Sequence, residues 1–585
     1  MGRNRIRHLT ASIGLGSHVV WIAAALAFAA LSACAALSRK PFRCPDEGGV
    51  TWTRVTSDHF ILETDLDRET AEATSSDLEV MLWTLSELAF RSPNRPKMSV
   101  EVVAFKDGNE YDAIDSSTTT GSFSSRGLHD FERRPVALVK GNLRASRQTF
   151  QHELTHFLVH YYLPQAPVWL NEGLAEYYET LDIDGDDLQV GQPTSSMRIW
   201  LPGNATPDLF WGSRAHYEDA PSPLKLMAMT PTEFYGMDVA DTGSGRGTEW
   251  LQTRVMFYAC AWALVHLFLT DDKYRGEFRN YLVSLSGGEK SDFAWATTLG
   301  SLDQAKLEAD FRTYLQSRVF KGPRVKNMAQ RTPPTKVEVL SHNEVHLLWA
   351  RLRSWTSGPD RDAARMELAH VQERDSGNME LGLLKAWWAL SENDMNAAER
   401  ALTDIAPAHQ RDARVLNAKG WVKLAPLMKR KSAKYADYAL ALHTTANELA
   451  PVAKSAAALD LLGRYYAGRG NLDEGIAYEK RAVDADPNCI PCLSAAAKML
   501  NEKGHTREAL DVATMALGLL PDGTRSEDLS EQVATYQRAV SAPATAPAPS
   551  SSPSASTSAA PPRAAKPARS KPAPVVSPAS SGPSR

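Results

Sequence analysis

Gly470 and Gly504 stand 34 residues apart, and Pro487 and Pro521 repeat the same step. This period constrains the fold more than any other feature of the chain. Each period is one small unit that cannot bury its apolar face alone, so neighbouring units must stack. Within the first unit, Leu462, Gly463, Tyr466 and Ala482 recur at helical spacing, and Ala509 and Ala516 continue the pattern in the second. Residues 378–410 and 415–450 carry looser versions of the same helical pairing. The span 338–535 is therefore expected to be an all-α solenoid.

On these residues the units resemble tetratricopeptide repeats. Gly475 stands where Ala is usual at a packing position, which suits a close helix crossing. The resemblance implies a concave surface that recruits a protein partner.

The pattern is different before residue 320. The β-prone run His59-Phe60-Ile61-Leu62 lies within a strand-like stretch from Trp52 to Glu63. Leu78, Met81, Leu82, Leu85 and Leu88 predict a helix over 68–90. Val100–Phe105 and Pro135–Val139 read as strands. A long helix follows from about Ser146 to Leu163, is broken by Pro164-Gln165-Ala166-Pro167, and gives way to a second helix near Val168. Helices dominate from about 250 to 320. Strands followed by helices, without regular alternation, predict an α+β domain over 51–320. A basic, Pro-containing linker over 321–337 separates it from the repeats.

The two ends have their own character. Arg3, Arg5 and Arg7 precede an apolar run from Val19 to Ala33 that is shorter than the ~20 residues of a spanning helix. The run ends in Leu31-Ser32-Ala33-Cys34, which resembles a bacterial lipobox. That resemblance implies a signal peptide over 1–33, lipidation of Cys34, membrane attachment through it, and a tether over 34–50. It places the chain in the cell envelope, outside the cytoplasm. Ala35, rather than Asp, follows the cysteine and tilts the expectation toward the outer membrane. At the other end, residues 536–585 are rich in Pro, Ala and Ser and cannot form a core, so a disordered tail is expected. A net charge of −4 with 23% charged residues gives no electrostatic footprint for nucleic acid.

Chemistry concentrates in Gln151-His152-Glu153-Leu154-Thr155-His156. A spacing of four places His152 and His156 about 40° apart on one helix face, so both imidazoles reach one metal ion. Neutral imidazoles suit zinc. After the Pro-rich break comes Trp169-Leu170-Asn171-Glu172-Gly173-Leu174-Ala175-Glu176. A tight reversal at 164–167 packs this helix antiparallel to the first and returns Glu172 toward the two histidines.

Together the two segments resemble the zinc-ligand helices of gluzincin metallopeptidases, and the best match is the smaller peptidase MA-like family. The resemblance implies a zincin-like metallopeptidase fold and one Zn²⁺ per chain at this site. It makes His152, His156 and Glu172 the ligands, Glu153 the general base, and Glu176 the acid that orients His152. Tyr258, in Phe257-Tyr258-Ala259-Cys260-Ala261, matches the helix that supplies an oxyanion donor, with His216 and Tyr217 as runners-up. The strand Pro135–Val139 is expected by analogy to be the edge that pairs with an extended peptide substrate. Metzincin ligation is excluded because Val159 and Tyr162 occupy the positions that need Gly and His. His160 is read as a partly buried or capping residue. No amino-terminus recognition motif is present, which tilts the expectation toward endopeptidase. The alternative function is a catalytically silent lipoprotein scaffold acting through its repeats. The chain has five cysteines. Cys489 and Cys492 are either a local disulfide or two small packing residues, and the sequence assigns no role to Cys44 and Cys260.

Overall fold

The computed structural model describes residues 43–541 except 91–95, 97–98, 115–120, 125–130, 132–133, 142, 185–186, 195–219, 230–246, 318, 327–333, 356–359, 430–433 and 520–525. The lipobox with Cys34, the runners-up His216 and Tyr217, Pro521 and the tail beyond 541 lie outside the described residues.

Nine short strands are described: β1 (Thr53–Thr56), β2 (Phe60–Thr64), β3 (Val100–Phe105), β4 (Gly121–Ser124), β5 (Val136–Lys140), β6 (Asp182–Asp184), β7 (Asp187–Gln189), β8 (Arg324–Lys326) and β9 (Lys336–Val339). Six of them form a sheet in the order β4-β5-β3-β2-β1-β9. β2, β3 and β5 are mutually parallel, and the outer pairings are antiparallel. β6, β7 and β8 form a separate three-stranded sheet.

The central strands β3 and β5 are buried on both faces, and their side chains alternate between two cores. Val100, Val102, Ala104, Ala137 and Val139 face helices α1 (Arg68–Leu85), α3 (Leu143–Tyr162) and α4 (Val168–Tyr178). The short helix α2 (Gly108–Ile114) lies between α1 and α3 in the chain. Beyond α4 come α5 (Pro223–Ala228), α6 (Gly247–Thr270), α7 (Asp272–Ser286), α8 (Ser291–Thr297) and α9 (Gln304–Ser317). Residues of α6, α7 and α9 extend the same core.

Val103, Phe105, Val136 and Leu138 face the opposite way, onto α10 (His342–Trp355). Trp52, Phe105 and Trp349 meet there edge to face, with ring centroids 5.9 to 6.3 Å apart. Arg351 of α10 reaches Glu101 at 2.6 Å and Glu63 at 3.0 Å, so charge as well as apolar area ties this helix to the sheet.

Two expected boundaries differ from this architecture. The span read as a linker supplies β8 and the first half of β9, whose second half falls in the span expected to be all-α, and β9 pairs with β1 from Thr53↔Val339 to Thr56↔Lys336. The span read as a tether ends in a packed turn: Cys44 is buried in the α10 core, and Pro45–Glu47 form a 3₁₀ turn. Backbone pairing rather than side-chain burial holds β8 and β9, which stay largely exposed, whereas Cys44 is drawn into the core.

From α10 onward the chain is helical: α11 (Asp360–Arg374), α12 (Met379–Ser391), α13 (Met395–Thr403), α14 (Ala413–Met428), α15 (Tyr435–Leu449), α16 (Ala456–Gly468), α17 (Leu472–Ala485), α18 (Ile490–Glu502), α19 (Thr506–Gly518) and α20 (Glu527–Ser541). The helices pack in successive pairs, as the 34-residue period requires. Gly470 and Gly504 adopt φ +81° and +86°, each in the turn between the two helices of its pair. A Cβ at Gly463 would lie 2.5 Å from Glu479 Oε1, which explains a glycine at the α16–α17 crossing. Helix α20 runs to Ser541, so the start of the expected tail is helical: Leu529, Gln532 and Tyr536 bury one face at helical spacing. Cys489 and Cys492 are bonded to each other at the start of α18.

Candidate metal centre

Helix α3 forms because Phe150, Leu154, Phe157 and Leu158 put an apolar stripe into the core. The stripe leaves His152 and His156 on a neighbouring face, both only half-buried. Chain direction reverses at Leu163–Pro167, and Pro167 then caps the start of α4. Trp169 anchors α4 by stacking on Tyr281 at 6.2 Å and meeting Phe268 edge on. Gly173 lets α4 lie directly on α6, since a Cβ there would fall 2.6 Å from Val265 Cγ2 and 2.7 Å from the Ala261 carbonyl oxygen. Gln151 donates to the Leu181 carbonyl at 2.9 Å and fastens α3 to the segment after α4.

These packings bring three side chains to one point. His152 Nε2 and His156 Nε2 are 3.1 Å apart. Glu172 Oε2 lies 3.5 Å from His156 Nε2 and 3.9 Å from His152 Nε2. Tetrahedral zinc with ligand bonds of 2.0–2.1 Å separates its ligand atoms by about 3.3 Å. The observed distances bracket that value. Glu172 is nearly fully covered, while each imidazole keeps 17–18% exposure, so one side of the cluster stays open to solvent.

The electrostatics favour a cation. Burial opposes charge on His152, but the hydrogen-bonded Glu179 and the carboxylates of Glu176, Glu172 and Glu153 outweigh it and raise its pKa to about 10. Burial likewise opposes charge on His156, and Glu172 above all raises it. Two Nε2 atoms 3.1 Å apart cannot both carry hydrogens aimed at each other. A single divalent ion satisfies both lone pairs and the surrounding acids together, so the donor set fits zinc.

The residues that orient the imidazoles are only partly those expected. Nδ1 of His152 meets Glu179 Oε2 at 3.2 Å, in the place expected for Glu176. Glu176 lies within 4.8 Å of both, and burial together with the Glu179 charge raises its pKa. Glu179 lies just past the end of α4, where the chain begins to turn and can bring the carboxylate behind the ring. Nδ1 of His156 meets Asn171 Oδ1 at 3.0 Å, a partner that sequence reasoning missed although Asn171 sits in the quoted string. No local spacing marks Glu179, since its partner is on another helix.

His160 does not join the cluster. Burial and the His156 charge lower its pKa to about 4. Glu153 is half-buried next to His152, and its carboxylate acts on both imidazoles. Tyr258 is half-buried on α6, one turn before Ala261 and its contact with Gly173. The strand expected as the substrate edge is interior: β5 pairs with β3 on one side and β4 on the other. Among the described residues β4 is the edge strand on that side of the sheet, and β9 is the edge on the other.

No family model matches the sequence, and no curated protein matches it either. Among solved structures, the chain is similar to a thermophilic TPR protein from Thermus thermophilus, at 18% identity over 33% of this chain and 98% of that one, TM-score 0.26. It is also similar to PilW, a type IV pilus biogenesis factor, at 15% identity over 34% of this chain and 92% of that one, TM-score 0.27. Likenesses this slight carry no functional argument. The helical repeats stand on their own period and packing.

Proposed function

We propose that the chain is a zinc-dependent peptidase of the cell envelope, held to a membrane through Cys34, whose helical repeats recruit a protein partner or substrate. The observation that carries this reading is the convergence of His152, His156 and Glu172 at metal-ligand distances, with Glu179 and Asn171 fixing the two rings. Bound there, zinc supplies Lewis acidity toward a water and a peptide carbonyl. His152, His156 and Glu172 hold the ion, and the partly exposed face leaves room for substrate. Glu153 takes the proton of the attacking water and returns it to the leaving amine. Tyr258 donates a hydrogen bond to the tetrahedral oxyanion. An extended peptide pairs along β4, which replaces β5 in that role. Endopeptidase action is favoured over exopeptidase action.

The second reading is a repeat scaffold that assembles partners while this site is silent. The stacked helix pairs after residue 338, a large share of the chain, favour it. One experiment separates the two. Purified full-length protein is incubated with a peptide library, and cleavage is read by mass spectrometry beside Glu153→Gln. The peptidase reading expects cleavage by the parent and a loss of about 10²-fold or more in the variant, which keeps its zinc. Equal behaviour of the two proteins, in the library and in cells, establishes the scaffold.

A further inference from the structure

A second set of ligating side chains lies where the start of the described chain meets α10 and α11, distinct from the His152 cluster. Cys44 is 1% exposed, His346 is fully buried, and Glu367 is 9% exposed. Cys44 Sγ lies 3.0 Å from His346 Nδ1 and 3.8 Å from Glu367 Oε2, and Nδ1 lies 2.6 Å from that oxygen. Asp46 stands on the other side of the ring, with Oδ1 3.4 Å from Nε2, and it lies within 4.8 Å of the thiol and the imidazole.

The neighbours hold this arrangement in place. Arg374 grips the second oxygen of Asp46. His342, one turn earlier on α10, brings Nδ1 to 4.0 Å from the same oxygen. His370 of α11 stacks on His346 at 5.0 Å and faces Glu47 at 3.9 Å, and Arg353 reaches Glu367 at 3.6 Å.

A buried neutral imidazole has one hydrogen and one lone pair. Here each ring nitrogen faces a carboxylate, so one contact sets lone pair against anion unless a cation lies there. Either a second proton or a metal ion meets that need. The thiol, a third donor on the same side, points to the metal. Thiolate, imidazole and carboxylate from three separate segments, closed off from solvent, are the donor chemistry of a zinc-class ion.

We propose that Cys44 Sγ, His346 Nδ1 and Glu367 Oε2 bind a structural zinc ion. The Asp46 carboxylate stands 3.4 Å from Nε2 and holds the ring by its charge, in the place that carboxylates take behind metal-bound histidines. The ion joins the segment entering β1 to the first two helices after the sheet, so it clamps the sheet to the start of the solenoid. The site is independent of the peptidase reading, because none of its ligands is shared.

The test uses the full-length chain and counts zinc by mass spectrometry after removal of loose metal. His152→Ala combined with His156→Ala empties the first centre. That double variant is expected to retain one zinc per chain, and adding Cys44→Ser is expected to remove most of it. Cobalt substitution reports the thiolate directly. The near-ultraviolet sulfur-to-cobalt band is expected in the parent and in the double variant, and it disappears in Cys44→Ser. A folded double variant free of zinc, as judged by circular dichroism, overturns the proposal and leaves the second proton as the answer. Zinc persisting after Cys44→Ser is added to the double variant, or the cobalt band persisting in Cys44→Ser, overturns it equally. Failure of the peptidase reading looks different, because the parent then holds one zinc that depends on Cys44 and not on His152.

Discussion

Asn171 and Glu179 are the side chains that orient the two helix-face histidines. Each takes the Nδ1 of one ring, so each Nε2 is aimed at Glu172. Glu179→Gln removes the charge behind His152 and is expected to weaken zinc binding about 10- to 100-fold, with a smaller loss in Glu176→Gln. Titration against a colorimetric chelator checks the order, and equal losses would show that Glu176 shares the role. The histidine pair was legible in the sequence because helical spacing alone fixes which residues share a face, whereas Glu172, on the next helix, was legible through the resemblance of its string to a zinc-ligand helix. Glu179 was not legible, because its partner lies on another helix and only the packing of α3 on α4 joins them.

A second residue-scale prediction concerns pH. His266 is buried against Tyr314, and burial lowers its pKa from 6.5 to about 4. Between those values the unfolded chain binds a proton that the native chain refuses, so stability falls as pH drops from about 6.5 to about 4. The loss is at most about 3 kcal/mol. His266→Phe is expected to flatten that part of a urea-midpoint-against-pH curve, and an unchanged slope would place the sensitivity elsewhere.

At the scale of elements, the decisive contact is the crossing of α4 and α6. Gly173→Ala pushes a methyl group into Val265 and the Ala261 carbonyl, which costs about 1–3 kcal/mol and displaces Glu172 next to it. A lowered melting temperature together with reduced zinc content is expected. A lowered melting temperature with full zinc content would show that the site tolerates the shift. The long helices were legible because their apolar spacing runs over three or more turns. β4, β8 and β9 were not. Each is only three or four residues long; β4 reads Gly-Ser-Phe-Ser, and β8 is exposed at all three positions. Alternation needs more residues than that to show, and sheet pairing rather than propensity makes these segments strands.

At the scale of the whole molecule, α10 joins the sheet to the solenoid, and its Arg351 sits between Glu63 and Glu101. Arg351→Leu strips the buried Glu101 carboxylate of its guanidinium, while Arg54 still holds Glu63, and is expected to destabilise the fold by about 3 kcal/mol. Limited proteolysis is expected to cut between α9 and α10 sooner in the variant than in the parent. Equal cutting would show that the aromatic contacts of Trp52, Phe105 and Trp349 suffice. The solenoid itself was legible from its period, whereas its first helix could not be assigned to the sheet from sequence. The apolar spacing of α10 says that one face is covered, but not by what.

The pairing of β1 with β9 also sets a timetable. A ribosome releases Thr53 hundreds of residues before Val339, and until then β1 has an open edge and Trp52 lacks the helix that covers it. The nascent chain therefore travels with an unfinished, adhesive surface, and folding chaperones in its compartment must shield that surface until the last strand arrives.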